Sequence, residues 1–279
     1  MKYRGKSVST LLAVVSLIIG SSVCVSSEID RDVVEAFANK TIGNAIKNSL
    51  FPGAVLAIVE GNETVLLKGF GVTDIETKTP MDPHLTLVRT GSMGKLMTAI
   101  AILQLVEEGR VSLDADVNEY LTTFQVPTTY PEPVTIRHLL SHRAGFTSEV
   151  TYTVFDEGSG GNIRTPPNRL VREFVRVRPP GLVTAYDNLG VGLLGIILGD
   201  VYGTSHGEVV RDRILKPVGM THTVMGIPVD RVSDFASCHT LKSSGDWEKC
   251  RYQIFRDLLE GGGNVSPTAS DMARFIAVL

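Results

Sequence analysis

The chain has 279 residues, of which 43% are hydrophobic and 20% are charged. A chain of this length can bury a full core and form one large domain or two small ones, and its composition is that of a globular protein. The formal net charge of -3 provides no basic surface of the kind that binds nucleic acid, so we predict no nucleic-acid partner.

Residues 1–27 have the composition of a secretory signal peptide. They begin with three basic residues, continue with an apolar run over residues 8–20 and end in small residues before an acidic stretch. The apolar run is short for a helix that spans a membrane. We therefore predict that the protein is secreted or periplasmic and that residues 28–279 form the mature domain. An uncleaved signal anchor, which would hold the protein on a membrane, is the alternative.

Two of the three cysteines, Cys238 and Cys250, lie beyond this segment. Export permits a disulfide between them, since oxidising compartments preserve such bonds, and the segment that they flank has the composition of a loop. Two free thiols fit the sequence equally well. The pair lacks the ligand spacing of a zinc site, so we predict no metal there.

The first third of the chain predicts a helix followed by two strands. Apolar residues recur at helical spacing over residues 29–50, where a Phe-Pro-Gly sequence ends the pattern. Two β-rich runs over residues 54–59 and 64–71 then flank a turn at Gly61, which is typical of a β-hairpin. Residues 85–89 are a further candidate for a short strand.

The remainder of the chain is predominantly helical, with a long loop predicted over residues 148–167. Helices are predicted after candidate caps and glycine breaks, at residues 93–108, 134–142, 168–176, 189–202, 205–215 and 268–275. No segment repeats, so a repeat architecture is excluded.

The helix-forming run that Gly109 ends begins with a serine and a lysine three residues apart, Ser92 and Lys95. We expect Ser92 at the N-cap and, because residues three apart share a helix face, Lys95 within reach of its hydroxyl. A desolvated lysine can take the serine proton, and a helix N-terminus favours an anion beside the serine. The pattern therefore fits acyl transfer, although a helix cap followed by a solvated lysine fits the same two residues.

The wider sequence around these residues resembles a known family. The motif GSMGK at residues 91–95, followed by AILQLVEEGRVSLDADV at residues 101–117, is similar to the serine β-lactamase and penicillin-binding-protein superfamily, and in particular to its class C-like branch. The resemblance implies an α+β fold of the β-lactamase/transpeptidase type, with a helical subdomain packed on an antiparallel sheet. It also implies a serine hydrolase of esterase, D-peptidase or β-lactamase type. Such an enzyme acts on a small ester, amide or peptide through an acyl-enzyme, without a metal or organic cofactor.

A second stretch carries the same resemblance. Tyr186-Asp187-Asn188 follows Pro180-Gly181 at the distance at which the family's Y-x-N motif occurs. The resemblance implies Tyr186 as a second catalytic base or acid and Asn188 as a substrate-binding amide. A phenol near a lysine ammonium has its phenolate favoured by the opposite charge, so it can relay protons at neutral pH. Taken alone, the tyrosine also fits a buried core residue.

His138 and His142 lie four residues apart, a spacing that can place two metal ligands on one helix face. The metalloprotease form of this pattern has a glutamate after the first histidine, whereas Leu139 stands there. The stretch is similar to the family's H-L-L-T-H-T-S-G segment, which implies structural packing, and we predict no metal site. The glycines at residues 261–263 likewise resemble the family's glycine segment beside the active cleft rather than a phosphate-binding loop.

Two departures from the family pattern affect the interpretation. Position 94 is a glycine where relatives often have threonine, a change that removes no catalytic group. The third family motif, K-T-G or H-x-G on a downstream strand, is absent, and the resemblance covers only the leading part of the usual domain. We therefore expect a fragment of a longer protein that lacks the C-terminal strands. An inactive truncated member that serves as a binding or structural protein is the alternative function. The sequence carries no indication of the oligomeric state.

Overall fold

The computed structural model describes residues 28–147, 153–154, 171–172, 174–250, 253–254 and 261–279. The predicted signal peptide lies outside these residues, as does most of the predicted loop over residues 148–167. Of the predicted helix over residues 168–176, residues 168–170 and 173 lie outside the described residues and residues 171–172 are helical. Residues 174–176 are not helical, which corrects the prediction there, and Arg176 instead pairs with Phe146 in an isolated antiparallel bridge. Arg31–Leu279 form one compact unit.

The N-terminal helix packs on a β-hairpin, which confirms the predicted helix over residues 29–50 and the predicted hairpin after it. Helix α1 spans Arg31–Lys47, and strands β1 and β2 span Gly53–Glu60 and Glu63–Gly71. The strands pair antiparallel, and Gly61 has a φ of +55° in the turn between them, a conformation that glycine adopts without steric cost. Helix α1 contacts β2, where Lys68 and Glu35 form an ion pair with an Nζ–Oε1 distance of 2.5 Å.

The helices of the middle of the chain pack around one apolar helix. They are α2 (Gly94–Glu107), α3 (Ile136–Leu140), α4 (Asn188–Tyr202) and α5 (His206–Val210), and α5 continues through a π-helical turn at Arg211–Leu215 into α6 (Lys216–Val218). Helix α4 contacts α2, α3 and α5, and it is apolar on nearly all sides, as a buried helix must be. None of the described helices is long and apolar enough to cross a membrane.

The main hydrophobic core lies between α2, α3 and α4. Fully buried leucines and isoleucines form its centre, namely Ile102, Leu105, Leu139, Leu193, Leu194, Ile197 and Leu198. Burying each such side chain stabilises the fold by about 1.5–3 kcal/mol. This cluster therefore holds α2, whose N-terminal end carries Ser92 and Lys95, firmly beside α4.

The remaining strands are short and pair two by two. They are β3 (Thr153–Val154), β4 (Val224–Met225), β5 (His239–Leu241), β6 (Trp247–Lys249), β7 (Gln253–Ile254) and β8 (Val265–Ser266). Among the described residues every sheet has two strands: β1 with β2, β3 with β7, β4 with β8 and β5 with β6. The last helix, α7 (Ala269–Ala277), packs on both β1 and β2. An isolated hairpin is marginally stable, so its packing against α1 and α7 stabilises the β1–β2 pair.

A disulfide closes the β5–β6 hairpin. The sulfur atoms of Cys238 and Cys250 are 2.04 Å apart. Asp74 joins this hairpin to the loop after β2, because its carboxylate accepts hydrogen bonds from Ser237 Oγ at 2.7 Å and from Lys249 Nζ at 3.0 Å. These two hydrogen bonds hold the pKa of Asp74 well below its usual range.

The predicted strand over residues 85–89 is wrong. Within the described residues only Leu87 of this segment pairs, in an isolated parallel bridge with Phe235. Leu87 is fully buried against Phe235 and Ile227 in a small second core. The apolar character of the segment therefore reflects the burial of one side chain and not the pairing of a strand.

Candidate active site

Ser92 lies in a single 3-10 turn, Gly91–Met93, directly before α2 begins. Met93 occupies the N-cap position of α2, and within the described residues neither the turn nor the helix has a side-chain cap. The expectation that Ser92 caps the helix is therefore wrong. The physical reason is the extra turn, which separates the serine from the end of the helix. Its hydroxyl instead contacts two other side chains.

Lys95 reaches Ser92 from the first turn of α2. Its Nζ donates one hydrogen bond to Ser92 Oγ at 3.0 Å and another to the backbone carbonyl of Gly262 at 2.5 Å. The three-residue spacing places the serine and the lysine on the same face of the turn. The carbonyl of Gly262 then fixes the ammonium beside the serine.

Tyr186 reaches the same hydroxyl from a distant part of the chain. Its OH lies 2.7 Å from Ser92 Oγ, and Lys95 Nζ lies 5.1 Å from the centre of its ring. Partial burial raises the pKa of Tyr186. The hydrogen bonds with Lys95 and Ser92 and the charge of Lys95 together outweigh that effect, so the pKa lies below its ordinary value of 10.0. A phenol with a lowered pKa has a larger fraction in the phenolate form at neutral pH, and the phenolate is the form that can accept a proton.

His142 holds the segment that carries Tyr186. The two rings are in contact, with their centroids 4.7 Å apart and their planes inclined by 34°. The backbone carbonyl of His142 accepts a hydrogen bond from Ala185 N at 2.9 Å, and its Nδ1 lies 3.2 Å from the backbone nitrogen of Asp187. The residues on both sides of Tyr186 are therefore bound to one histidine, which fixes the direction of the phenol.

Asp187 and Asn188 begin helix α4. The Asp187 carboxylate caps the helix by accepting hydrogen bonds from Leu189 N at 2.8 Å and Gly190 N at 3.0 Å. Burial raises the pKa of Asp187, and these hydrogen bonds partly offset the rise. Asn188 Oδ1 is buried and has no hydrogen-bond partner among the described residues. Buried acceptors are nearly always paired, so this oxygen lacks the partner that such a group normally has.

A run of glycines at residues 261–263, which we call the glycine loop, lies against Lys95. A Cβ built on Gly262 would be 3.8 Å from Lys95 Nζ and 3.9 Å from Cβ of Asn188, so all three residues meet at one place. A Cβ built on Gly94 would be 3.0 Å from Cα of Gly263. The glycine at position 94, where relatives often have threonine, therefore lets α2 lie directly against the backbone of this loop.

The two histidines with metal-ligand spacing make structural contacts instead. His138 Nδ1 accepts a hydrogen bond from Thr135 N at 3.2 Å and completes the capping box of α3. His142 binds the segment around Tyr186. In the described part of the chain no group of three or more histidine, cysteine, aspartate and glutamate side chains is placed to hold a metal ion.

Sequence reasoning missed the contacts that hold the candidate residues. It assigned His142 to structural packing but did not identify Tyr186 as its neighbour. The ring contact between the two joins positions that lie far apart in the sequence. The carbonyl of Gly262 is a backbone group, which side-chain patterns do not reveal. The resemblance of the His138–His142 segment and of the glycine loop to family segments is the only signal that could have drawn attention to either contact.

Comparison with known proteins identifies relatives of this arrangement. The family model described as Beta-lactamase matches residues 38–279. Protein flp of Staphylococcus aureus (strain N315) is 29% identical over 186 residues, which are 66% of this chain and 37% of flp. The putative penicillin-binding protein PbpX of Bacillus subtilis (strain 168) is 30% identical over 242 residues, which are 85% of this chain and 57% of PbpX.

The solved structures include one of similar identity. The octameric penicillin-binding protein homologue from Pyrococcus abyssi matches with a TM-score of 0.71 at 29% identity, covering 90% of this chain and 56% of that one. The chain thus spans between 37% and 57% of the length of these three relatives. The predicted superfamily and its α+β fold are confirmed. Because the family model matches most of the chain, this protein belongs to the beta-lactamase family.

Proposed function

We propose that the protein is an exported serine hydrolase that forms an acyl-enzyme on Ser92 with a small ester, amide or peptide. The observation that carries the proposal is that the side chains of Lys95 and Tyr186 both contact the hydroxyl oxygen of Ser92. Lys95 Nζ lies 3.0 Å and the Tyr186 OH 2.7 Å from Ser92 Oγ. A serine hydroxyl becomes a useful nucleophile when a base within hydrogen-bond reach takes its proton.

Lys95 and Tyr186 act as a proton-transfer pair. In acylation the pair takes the Ser92 proton while Oγ forms a bond to the substrate carbonyl carbon, whose oxygen gains the negative charge. When the tetrahedral intermediate collapses, the bond to the leaving alcohol or amine breaks and that group receives the proton. Water then repeats the sequence: it gives a proton to the pair, attacks the acyl carbon and releases a carboxylic acid, and Ser92 Oγ regains its proton.

Two further groups suit the binding of a substrate carbonyl and its neighbours. The backbone N–H of Ser92, in the 3-10 turn before α2, is the expected donor to the oxyanion, which the N-terminal end of the helix also favours. Asn188 Oδ1 offers an unpartnered acceptor close to Lys95. An amide N–H of the substrate would satisfy it, which favours peptide-like substrates, and lactams that carry an acylamino side chain, over simple esters.

A second candidate is a member that accepts an acyl group and retains it. The names of PbpX and of the Pyrococcus abyssi protein refer to penicillin binding, and a protein that binds penicillin without turnover would use the same serine. The two candidates differ in deacylation, so the lifetime of the adduct separates them.

Labelling with a fluorescent fluorophosphonate tests the proposal. We expect wild type to be labelled and Ser92→Ala not to be labelled. Ser244→Ala, a change at an exposed serine in the turn of the disulfide-closed hairpin, serves as the matched control and should label like wild type. Equal labelling of Ser92→Ala and wild type would contradict the proposal. Release of product from a chromogenic ester then distinguishes turnover from a retained adduct.

N-terminal sequencing of the protein recovered from its producing cells tests export. Cleavage of the segment at residues 1–27 should give a chain that begins near residue 28 and is found outside the cytoplasm. A chain that keeps Met1 and sediments with membranes would indicate the signal anchor instead.

A further inference from the structure

The carbonyl that binds Lys95 belongs to a glycine, Gly262, which has no side chain to anchor it. Gly262 lies in the glycine loop, residues 261–263, and glycine has more backbone freedom than any other residue. The position of its carbonyl, and with it the position of the Lys95 ammonium, therefore depends on contacts made to this loop by other parts of the chain.

Thr98 supplies one of these contacts. It lies on α2, one turn after Lys95, and its side chain is completely buried. Its Oγ1 donates a hydrogen bond to the carbonyl of Gly261 at 2.8 Å, the peptide next to the one that binds Lys95. One helix thus binds the glycine loop at two adjacent carbonyls, through Lys95 and through Thr98.

His206 in turn binds Thr98. It is the first residue of α5, and its Nε2 lies 3.0 Å from Thr98 Oγ1. The single hydroxyl proton of Thr98 goes to the nearby Gly261 carbonyl, so Nε2 must carry a proton and donate it to Thr98. Nδ1 is then unprotonated, and it is buried without a partner among the described residues. Burial lowers the pKa of His206 to about 4, which keeps the ring neutral.

Helix α4 closes the arrangement from another direction. A Cβ built on Gly195 would lie 2.9 Å from Cα of Gly261 and 3.3 Å from Cδ2 of His206. Only a glycine leaves room for both at this position. Since a buried ring with an unpartnered nitrogen destabilises a fold relative to an apolar side chain of the same size, packing alone does not explain a histidine here.

We propose that Thr98 and His206 are positioning residues for Lys95. They fix the carbonyl of Gly261 and, through the adjoining peptide, the carbonyl of Gly262 that binds the lysine ammonium beside Ser92. The inference rests on the proposed function, because it assigns the pair a role in proton transfer that only an acylating enzyme needs. Neither residue contacts Ser92 or the reacting atoms; they act through the glycine loop.

The rate of acylation by the fluorophosphonate in matched variants tests this role. Thr98→Val keeps the shape of the side chain and removes the hydroxyl, and Thr98→Ser keeps the hydroxyl. His206→Phe keeps the ring without a donor, and His206→Gln keeps an N–H near the place of Nε2. Displacing a catalytic group by about 1 Å can cost about 100-fold, so we expect Thr98→Val to react 10- to 100-fold more slowly and His206→Phe about tenfold more slowly. Thr98→Ser and His206→Gln should stay within about threefold of wild type.

Urea unfolding of each variant separates positioning from folding, and Thr221→Val at an exposed threonine controls for the substitution itself. Slow acylation in a variant that unfolds at the wild-type urea concentration supports positioning. If Thr98→Val does not fold, the His206→Phe and His206→Gln pair decides by the same criterion.

Two results would overturn the inference and leave the proposed function standing. In the first, Thr98→Val and His206→Phe both react at the wild-type rate while Ser92→Ala stays unlabelled. In the second, Thr98→Ser reacts as slowly as Thr98→Val. Failure of wild type itself to label overturns the proposed function and this inference together.

Discussion

Ser92 is contacted by two regions of different construction. The inner region consists of Lys95, the glycine loop and the buried pair Thr98 and His206, and the outer region consists of Tyr186 and His142. Lys95 is fixed by a backbone carbonyl that lies against the core, whereas Tyr186 is 55% exposed and is held by a ring contact with His142 and by loop hydrogen bonds. One serine is therefore bound to the interior on one side and to the surface on the other.

The difference indicates where the site tolerates change. Polar contacts inside a core have no water to replace a lost partner, so breaking one there costs more than breaking an exposed one. The outer region borders solvent, which can take over part of a lost hydrogen bond. We expect loss of Lys95 to slow acylation more than loss of Tyr186, and changes in the inner region to have the larger effects on stability.

Replacement of Lys95 should have the largest effect. Lys95→Met removes a proton-transfer group, which is expected to slow acylation about 1000-fold. Lys95→Arg retains the positive charge but cannot give up a proton, so it should be almost as slow. The measurement is the rate of fluorophosphonate labelling. A wild-type rate in Lys95→Arg would show that charge alone matters and would contradict the role of a base.

The buried His206 should make stability depend on pH in the mildly acidic range. The unfolded chain takes up a proton as the pH falls through 6.5, whereas the folded protein does so only near pH 4. Folding is therefore fully stable above pH 6.5 and loses about 3 kcal/mol as the pH falls from there to about 4. Urea unfolding at a series of pH values measures the loss, and His206→Gln should lack this component. An identical pH dependence in the two proteins would be inconsistent with a neutral buried imidazole.

Tyr186→Phe should have a smaller effect on rate but should change its pH profile. We expect about a 100-fold slower acylation, because one of two proton-transfer groups is lost. In wild type the rate should rise with pH as the phenol loses its proton, and should level off below pH 10 because the pKa of Tyr186 is lowered. Tyr186→Phe should lack this rise. The profile is measured as labelling rate against pH, and an unchanged rise in the variant would assign it to another group.

The smallest effect is expected at His142, which touches Tyr186 and not Ser92. His142→Asn retains a polar group near the backbone and tolerates the φ of +55° at this position, but it removes the imidazole ring that contacts Tyr186. We expect about a tenfold slower acylation from the less well held phenol. Combined with Tyr186→Phe, the change should add little, since the group that it positions is then absent. Full additivity of the two effects would show that His142 does not act through Tyr186.

Within the fold and the site, the sequence could predict contacts between residues that lie close together in the chain. The helices, the β1–β2 hairpin and the pairing of Ser92 with Lys95 are local patterns, in which the spacing of residues determines which side chains are in contact. The N-cap expectation for Ser92 failed because a 3-10 turn and an α-helix share the same residue preferences, and only the backbone shows where one ends.

Contacts between distant segments required the structure. Tyr186 could be placed beside Ser92 only through resemblance to a family, because no local pattern joins the two positions. His206 and Thr98 had no signal at all: each is compatible with an ordinary helical segment, and their meeting depends on how α2, α4 and α5 pack. The bond between Cys238 and Cys250 likewise depends on the β5–β6 hairpin that brings them together.

The central claim is that Ser92 carries the acyl group. Mass spectrometry of the protein after incubation with a penicillin tests it most directly, since ring opening adds the whole penicillin to the residue that attacks. We predict a mass increase of one penicillin, located in the peptide that contains Ser92 and absent from Ser92→Ala. An adduct on any other residue, or an equal adduct on wild type and Ser92→Ala, would contradict the claim.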